Sequence, residues 1–286
     1  TNGLYYVDGG ISSASAAWTS NFNFNQYRIG ADQIPTTAQQ LQGYVGEIIT
    51  YSNALTTTER QQLERYLGWK WNISNQIQSP RDIGTLALWM DAADPTTLTL
   101  SGSNVTAWRD KGVNSLPLTL VGTPTWTSNS VNFTGTQYFT NTTISLNLSA
   151  MTVFLVGYTN TLAGAGYAGF LSFVPIPNGV DFNQPNAISY TSDATGVGTM
   201  LTTFNYTVSS ITQPYTSPTN PFLFAHVQNG TAMTLYGLGT SFYSTTTNFT
   251  PGTTTGLTMG ARYQNGNGTV SAYLTGNIKE IVVYNS

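Results

Sequence analysis

The segment LTGNIKEIVVYNS, residues 274–286, has a counterpart at residues 41–53, which read LQGYVGEIITYSN. The two align without a gap and share five identities: Leu41, Gly43, Glu47, Ile48 and Tyr51 match Leu274, Gly276, Glu280, Ile281 and Tyr284. A second match lies upstream of each segment, between YRIGA at 27–31 and LTMGA at 257–261. Such repetition predicts two copies of one structural unit, of which the second is complete and the first partial.

Strand-like runs fill most of the sequence. Short stretches rich in β-branched and aromatic residues alternate with clusters of Gly, Asn, Pro and Ser. The clearest are LALWM (86–90), TVFLVGY (152–158), FLSFV (170–174), FLFAHV (222–227), MTLYGLG (233–239) and EIVVY (280–284). Many short strands at close spacing predict an all-β sandwich.

One segment, ALTTTERQQLERYLGWKW, breaks this pattern and predicts a helix. Thr56 precedes Glu59 by three residues, which is a capping-box signature, because each side chain can satisfy a free backbone donor of the other residue. The polar stretch that follows has no periodicity and contains a proline, so it predicts a linker. We therefore expect closing strands of a first sandwich at 1–54, a helix and linker at 55–85, and a complete sandwich at 86–286.

The spacing of the repeat bears on the extent of the first copy. Glu47 and Glu280 are 233 positions apart, and by that offset we expect about 150 residues of the first copy to precede Thr1 in a longer native polypeptide. The alternative is that residues 1–54 complete the second sandwich or pair with a neighbouring chain, because orphan strands leave sheet edges exposed.

Composition excludes several classes of function. Charged residues make up 7% of the 286-residue chain and the net charge is −3, which argues against nucleic acid or an anionic membrane as partner. The chain has no cysteine, so disulfides, thiolate zinc sites and thiol nucleophiles are excluded. The longest apolar run, 151–158, is far shorter than the roughly 18 residues that a membrane-spanning helix needs, so we expect no membrane insertion.

Two parts of the sequence carry a family resemblance. The stretch LALWMDAADPTTLTLSGSNVTAWRDKG (86–112), followed by VNFTGTQYF (131–139), resembles the opening of laminin-G-like domains of the concanavalin A-like jelly-roll superfamily. The stretch YVGEIITYSNALTTTERQQLERYLGWKW (44–71) resembles the closing strand and helix of such domains in large viruses, phages and bacterial surface proteins. The resemblance implies a concanavalin A-like jelly roll at an extracellular or virion surface. It does not choose a ligand, since this fold hosts lectins, glycosidases, adhesion modules and structural parts.

The carboxylates give no sign of glycosidase chemistry, which requires two of them beside the scissile bond. The four glutamates lie in the predicted helix or at equivalent positions of the repeat, and no Glu-x-Asp-x-x-Glu arrangement occurs. His226 is the only histidine, and no acid or hydroxyl at a motif spacing marks it as a triad base. We expect a non-catalytic protein, with an atypical glycosidase as the enzymatic alternative.

Two kinds of binding site are candidates. The resemblance implies that the domain can bind calcium, for which Asp91 and Asp94 in WMDAADPTT are the candidate ligands because they lie close together. Asp110 and Asp181 are further candidates. The alternative is that Asp94-Pro95 shapes a turn, with the help of Asp91. A sugar site needs an aromatic platform beside amide and carboxylate groups. The loop at 175–190 offers such side chains close together, and two tyrosines elsewhere are similar candidates: Asp181, Phe182, Asn183, Gln184 and Tyr190, then Tyr167 and Tyr263.

Nine Asn-x-Ser/Thr sequons permit N-glycosylation: Asn72, Asn104, Asn132, Asn141, Asn147, Asn205, Asn229, Asn248 and Asn267. Taken together, these features predict a non-catalytic module of a surface protein, structural or adhesive, that belongs to a larger assembly. Its partners are glycans in one interpretation and neighbouring proteins of a capsid, fibre or spike in the other.

Overall fold

The structure is a computed structural model that describes residues 2–7, 10–17, 29–30, 41–73, 79–112, 114–159, 167–175, 187–192, 200–204, 221–246, 250–264 and 269–285. The chain divides into two compact units, Thr1–Asp82 and Ile83–Ser286, called unit 1 and unit 2 below.

Unit 1 contains an antiparallel pair of strands, β1 (Asn2–Val7) and β2 (Gly10–Ala17), and one helix, α1 (Thr57–Trp71). The helix begins where the capping box predicts it, with Thr56 N–H donating to Glu59 Oε2 at 2.8 Å and Thr56 Oγ1 accepting from Glu59 N–H at 3.3 Å. It ends at Asn72, which takes a left-handed conformation with φ 53° and donates its backbone N–H to Gly68 O. A short 3₁₀ turn, Pro80–Asp82, follows.

The segment 41–53 forms no strand in unit 1, although its pattern predicts one. Its large apolar side chains are exposed: Leu41, Tyr44, Val45, Ile48, Ile49 and Tyr51. A strand needs neighbours to satisfy its backbone donors and acceptors, and the described residues of unit 1 place none beside this segment. The described residues of unit 1 therefore offer segment 41–53 no sheet to join.

Unit 2 is an antiparallel β-sandwich, which confirms the predicted all-β jelly-roll class of fold. A 3₁₀ turn, Pro95–Thr97, follows its first strand. The strands found among the described residues are β3 (Leu86–Asp91), β4 (Leu98–Ser101), β5 (Asn104–Trp108), β6 (Thr119–Val121), β7 (Thr125–Trp126), β8 (Val131–Thr134), β9 (Tyr138–Asn141), β10 (Leu146–Asn147), β11 (Ala150–Thr159), β12 (Gly169–Val174), β13 (Ile188–Ser192), β14 (Met200–Phe204), β15 (Phe222–Asn229), β16 (Ala232–Gly237), β17 (Thr240–Thr246), β18 (Thr253–Thr254), β19 (Gly256–Met259), β20 (Arg262–Gln264), β21 (Thr269–Ser271) and β22 (Thr275–Asn285).

Two main sheets build the sandwich. The larger has ten strands in the order β17-β16-β15-β11-β22-β8-β7-β5-β4, with β3 also paired to β22. The smaller has six, in the order β14-β13-β12-β19-β9-β6, and two further pairs are β10 with β18 and β20 with β21. Strand β22 pairs with β11 on one side and with β3 and β8 on the other. The segment at 274–286 thus supplies a central strand of the larger sheet.

The core lies between the two sheets and takes mainly alternate residues of the strands, although the consecutive residues Phe170 and Leu171 of β12 both belong to it. Along β22, Ile278, Ile281 and Val283 are fully buried. Facing them, Phe139 of the smaller sheet packs edge-to-face with Trp108 at a ring-centroid distance of 5.8 Å. Each such side chain contributes about 1.5–3 kcal/mol by leaving water, so the core accounts for most of the stability of unit 2.

Gly276, one of the residues shared by both copies of the repeat, has a steric role in this core. A Cβ at that position would lie 2.4 Å from Tyr158 O and 3.0 Å from Thr159 Cα, so only glycine lets β22 approach β11 this closely. Its counterpart Gly43 meets only the Leu41 side chain, at 3.7 Å. The repeated glycine is therefore sterically required in unit 2 and not in the present surroundings of residues 41–53.

Candidate functional site

The candidate calcium ligands Asp91 and Asp94 surround a lysine. Lys111 Nζ lies 2.9 Å from Asp91 Oδ2 and 2.9 Å from Asp94 Oδ2, and it stands over the Trp89 ring at 3.9 Å from the centroid. Hydrogen bonds from the Thr96 side chain, and then from Lys111, lower the pKa of Asp94 to about 2. The ammonium group thus occupies the position between the carboxylates where a cation would bind.

Asp94 and Asp91 also shape the local backbone, as the turn interpretation predicts. Asp94 Oδ1 accepts the N–H of Thr96 at 3.0 Å and caps the 3₁₀ turn, while Asp91 Oδ1 accepts the N–H of Ala93 at 2.9 Å. Among the described residues, no group of three or more acidic or histidine side chains is placed to hold a metal ion.

Asp110, a further calcium candidate, is buried and bound entirely by the protein. Its carboxylate accepts backbone N–H groups from Trp89 at 2.8 Å, Gly112 at 2.6 Å and Leu116 at 2.9 Å. Three charge-assisted hydrogen bonds hold the connection after β5 against β3. This geometry gives Asp110 an organising role in the fold.

Most of the loop predicted to bind sugar lies outside the described residues. Asp181, Phe182, Asn183 and Gln184 lie outside the described residues, and Asp181 as a calcium candidate does too. Tyr190 is fully buried on β13, where its hydroxyl lies 2.8 Å from His226 Nδ1. A glycan at the surface cannot reach this ring, so Tyr190 is corrected from a predicted platform to a core residue.

His226 belongs to a buried hydrogen-bonded chain inside the sandwich. Its Nε2 lies 3.2 Å from Gln228 Oε1, and Gln228 Nε2 donates to Gly230 O at 2.9 Å. Burial lowers the pKa of His226 to about 4, against a smaller opposing effect of Gln228. The histidine is therefore neutral at physiological pH, and its ring nitrogens face Tyr190 and Gln228.

Two half-buried tyrosines, Tyr138 and Tyr273, lie against each other, and Tyr263 is near enough to Tyr138 to affect its pKa; we call these residues the three-tyrosine shelf. Tyr138 begins β9, and because its neighbour Phe139 lies in the core, Tyr138 projects from the outer face of the smaller sheet. Its ring centroid is 6.1 Å from that of Tyr273, with the planes tilted by 38°. Burial raises the pKa of Tyr138, and the neighbouring Tyr273 and Tyr263 raise it further.

Tyr167 lies on the other side of the β20–β21 hairpin. Successive residues of a strand point to opposite faces, so Arg262 and Tyr263 project from opposite faces of β20. The Arg262 guanidinium is buried and lies 5.4 Å from the centroid of the Tyr167 ring, which itself is exposed. Arg262 thus supports Tyr167 by a cation–π contact rather than reaching solvent itself.

The shelf was only partly predictable. The sequence singled out Tyr263 and Tyr167 but not Tyr138 or Tyr273, because no local pattern distinguishes these from the other tyrosines of the chain. Chemically, half-buried tyrosine rings offer apolar faces with polar hydroxyl edges, which suits the alternating C–H and O–H surface of a sugar. Tyr273 keeps its hydroxyl anchored on Val270 O at 3.0 Å, which fixes the ring orientation.

Each of the four glutamates has a hydrogen-bond or ion-pair partner in the protein. Glu59 caps α1, Glu64 pairs with Arg60 along the helix, and Glu47 accepts from Trp71 Nε1 at 3.0 Å. Glu280 accepts from Trp89 Nε1 at 2.9 Å. Of the four, only Glu280 belongs to unit 2, and its hydrogen-bond partner is Trp89 rather than a tyrosine of the shelf.

Six of the nine sequons fall on described residues: Asn72, Asn104, Asn132, Asn141, Asn147 and Asn229. The other three, Asn205, Asn248 and Asn267, lie outside them. Asn141 is buried, with Nδ2 donating to Pro117 O at 2.7 Å, whereas Asn104 and Asn229 are exposed. No helix among the described residues is long and apolar enough to cross a membrane.

Comparison with known proteins finds similarity to solved structures only. No family model matches the chain, and no curated protein matches it significantly. Domain 4 of AbnA, a GH43 extracellular arabinanase from Geobacillus stearothermophilus, in complex with arabinotriose, gives a TM-score of 0.45 at 14% identity, covering 71% of this chain and 93% of that one. The CBM40 of the Ruminococcus gnavus IT-sialidase, bound to α2,3 sialyllactose, gives 0.39 at 15% identity, covering 55% and 90%. The Trypanosoma rangeli sialidase in complex with sialic acid gives 0.44 at 11% identity, covering 71% of this chain and 31% of the sialidase. At these TM-scores the similarity is too low to transfer a function.

Proposed function

We propose that unit 2 is a non-catalytic, laminin-G-like glycan-binding module of an extracellular or virion-surface protein, with the three-tyrosine shelf as its binding surface. The observation that carries the proposal is the contact between the half-buried rings of Tyr138 and Tyr273, with Tyr263 near enough to raise the pKa of Tyr138. Aromatic faces beside hydroxyl groups are the usual components of a sugar site, because they combine apolar stacking with hydrogen bonding. The neutral composition, with 7% charged residues, favours uncharged ligands over phosphate-bearing ones.

The test is a glycan-array screen of the full chain, with and without calcium. We expect binding to one class of glycan that Tyr263→Ala and Tyr138→Ala each weaken by about tenfold or more, which corresponds to the loss of one stacking contact. Tyr66→Ala is the matched control, since Tyr66 is a partly exposed tyrosine on α1, far from the shelf in sequence and in unit 1.

Other results would redirect or overturn the proposal. Binding that survives both shelf variants but is lost in Asp181→Ala with Asn183→Ala would move the site to the loop that contains those residues. Binding that requires calcium would indicate that the site includes a calcium ion, for which Asp91 and Asp94 are the candidate ligands. Silence of a folded chain across a broad array would overturn glycan binding and leave an architectural role in a capsid, fibre or spike.

The architectural role is the second candidate, and a separate observation favours it. Unit 1 exposes most of the large apolar side chains that the described residues leave in solvent, including Tyr44, Ile48, Tyr66 and Trp69. Such exposure is typical of surfaces that are covered in an assembly.

A further inference from the structure

A cleft with a volume of about 460 Å³ opens at the end of unit 2 where β3 begins and β22 ends. Three parts of the chain line it: residues 85–87 at the start of β3, Asn114 and Leu116 in the connection after β5, and residues 143–146, which lead into β10. Asn285, the last residue of β22, lines it too. We call this the rim cleft. Its volume lies within the range of about 300–1,000 Å³ that is typical of ligand sites.

Two buried polar side chains hold walls of the rim cleft in place. Asp110 accepts the backbone N–H of Leu116 at 2.9 Å. Asn141 accepts the backbone N–H of Ile144 at 2.7 Å through Oδ1, and its Nδ2 donates to Pro117 O at 2.7 Å. Asn141 thus joins the wall that carries Ile144 to the connection that carries Leu116. Because these bonds lie within the protein, the two walls are positioned before any ligand arrives.

Asn285 holds the third wall. Its backbone N–H donates to Thr85 O at 2.9 Å, while its side-chain Nδ2 donates to Asn147 O at 2.7 Å and to Ala150 O at 2.9 Å. The start of β3 is thereby tied to β10 and β11. Thr85 itself takes a φ of 69°, a left-handed conformation that strains a β-branched residue. Such strain persists only where the surrounding structure fixes it, and it is common at binding sites.

The lining of the rim cleft combines an aliphatic floor with a polar mouth. Ile144 and Leu146 are buried and Leu116 is half-buried, so these side chains form the floor. Asn114 and Ser145 are exposed, so their amide and hydroxyl groups lie at the mouth. Among the described residues that line the cleft, none is charged and none is aromatic.

This lining selects the chemical class of the ligand. A charged group would lose its hydration here without meeting an opposite charge among the described lining residues. A sugar would find hydrogen-bonding partners there but no aromatic ring to stack on. An extended peptide suits both parts of the cleft, because an aliphatic side chain fits the floor and the peptide N–H and C=O groups match the mouth. The amide and hydroxyl side chains at the mouth can both donate and accept hydrogen bonds.

We propose that the rim cleft binds an extended, uncharged peptide segment of a partner protein. One aliphatic side chain of that peptide packs against Leu116 and Ile144, and the peptide groups on either side of it bond to Asn114 and Ser145. The described residues of the cleft include none from the three-tyrosine shelf or the loop at 175–190, so this proposal does not depend on glycan binding. It gives the architectural role a defined contact surface in unit 2.

Titration of the full chain with small blocked amino acids, followed by two-dimensional NMR of the backbone amides, tests this proposal. The probe is N-acetyl-leucine N-methylamide, which carries one aliphatic side chain between two peptide groups. We expect saturable shifts at the amides of Asn114, Thr143 and Ser145, with a dissociation constant of about 1–10 mM, as is usual for so small a ligand. N-acetyl-glycine N-methylamide lacks the side chain and leaves the floor empty, so it should bind more weakly by about tenfold or more.

A variant that fills the mouth of the cleft locates the site. Ser145→Tyr should weaken binding of the leucine probe by about tenfold or more. Thr142→Tyr is the matched control, because Thr142 is an exposed neighbour that is not among the residues lining the cleft. The NMR spectrum of each variant shows whether it is folded, and Asn114→Trp replaces Ser145→Tyr if the latter is not.

Three results would overturn the proposal: no saturable shift at the cleft amides, equal affinity for the leucine and glycine probes, or binding that the mouth-filling variant leaves unchanged. A response of the same amides to methyl α-glucoside but not to the leucine probe would also overturn it and would make the cleft a sugar site.

Discussion

Trp89 and Glu280 are 191 positions apart in sequence, and the indole Nε1 of the first donates to the carboxylate Oε1 of the second across 2.9 Å. The bond joins β3 to β22 at the register where these strands pair. Glu47, the counterpart of Glu280, also accepts an indole N–H, but from Trp71 on α1. The repeat thus preserves a tryptophan–glutamate hydrogen bond while changing the element that supplies the tryptophan.

Glu280→Gln should make the protein less sensitive to pH. Burial, and then the Asp91 carboxylate, raises the pKa of Glu280, while Trp89 and Lys111 oppose that rise. A raised pKa in the folded state means that the free energy of unfolding falls as pH rises from the unfolded value of 4.5 through the folded pKa. Glutamine keeps an oxygen that can accept from Trp89 and carries no charge, so the variant should gain stability relative to the parent as pH rises. Denaturant unfolding at pH 4 and pH 7 gives the free energy of unfolding of the variant and of the parent. A difference between the two proteins that is the same at both pH values would contradict the prediction.

His226 should titrate far below an ordinary histidine. Its pKa is lowered to about 4 by burial, so the unfolded chain binds a proton near pH 6.5 that the folded chain does not bind until about pH 4. Stability should therefore fall by roughly 3 kcal/mol as pH drops through that window. The chain has one histidine, so its ring proton resonance in NMR reports this group alone. A midpoint near 6.5 would show that the ring is solvated and not in the core.

Gly276→Ala should destabilise unit 2 strongly. The added methyl group would lie 2.4 Å from Tyr158 O, which forces β22 and β11 apart. We expect a loss of about 1–3 kcal/mol, as for other overpacked core positions. Gly84→Ala is the control, because a Cβ there meets nothing within 4 Å and its change in the free energy of unfolding should stay within about 0.5 kcal/mol. Equal effects in the two variants would contradict the steric account.

Asp110→Asn should also destabilise the fold. The carboxylate accepts three backbone N–H groups, and an amide replaces one of its two oxygens by a donor, leaving at least one buried N–H without an acceptor. The expected loss is about 1–3 kcal/mol. Asp82→Asn serves for comparison, since Asp82 is exposed and its carboxylate accepts the backbone N–H of Ser79. Thermal denaturation of both variants tests this prediction. An Asp110→Asn variant as stable as the parent would rule out the organising role of Asp110.

Among the sequons, burial should select those that can carry a glycan. In a host with N-glycosylation machinery we expect occupancy at Asn104 and Asn229, which are exposed. We expect none at Asn141, whose Nδ2 donates to Pro117 O and whose Oδ1 accepts from Thr143 and Ile144. Peptide mapping by mass spectrometry gives the occupancy at each site. A glycan on Asn141 would mean that modification precedes folding of this region.

Local sequence patterns predicted the helix and strands better than they predicted the residues of the candidate binding site. The capping box placed the start of α1, and the run EIVVY predicted part of β22, because caps and alternation are written in neighbouring residues. The same pattern at residues 41–53 forms no strand, since a strand depends on partners that its own sequence does not contain. Asp91 and Asp94 were plausible cation ligands until the fold brought Lys111 between them, an approach that the spacing of 17–20 residues does not reveal.

The sequence by itself determined the all-β class, the helix after the first copy and the lack of a paired-carboxylate motif, because these follow from composition, periodicity and short spacings. Only the tertiary structure decided that Tyr190 is a core residue and that the rings of Tyr138 and Tyr273 lie against each other. It alone also placed side chains from five strands opposite one another in one row: Trp89, Val282, Phe154, Ala225 and Tyr236. The physical reason is the same in each case: in an antiparallel sandwich, the residues that make a surface are brought together by strand pairing across long sequence separations, and pairing depends on the whole sheet rather than on any one strand.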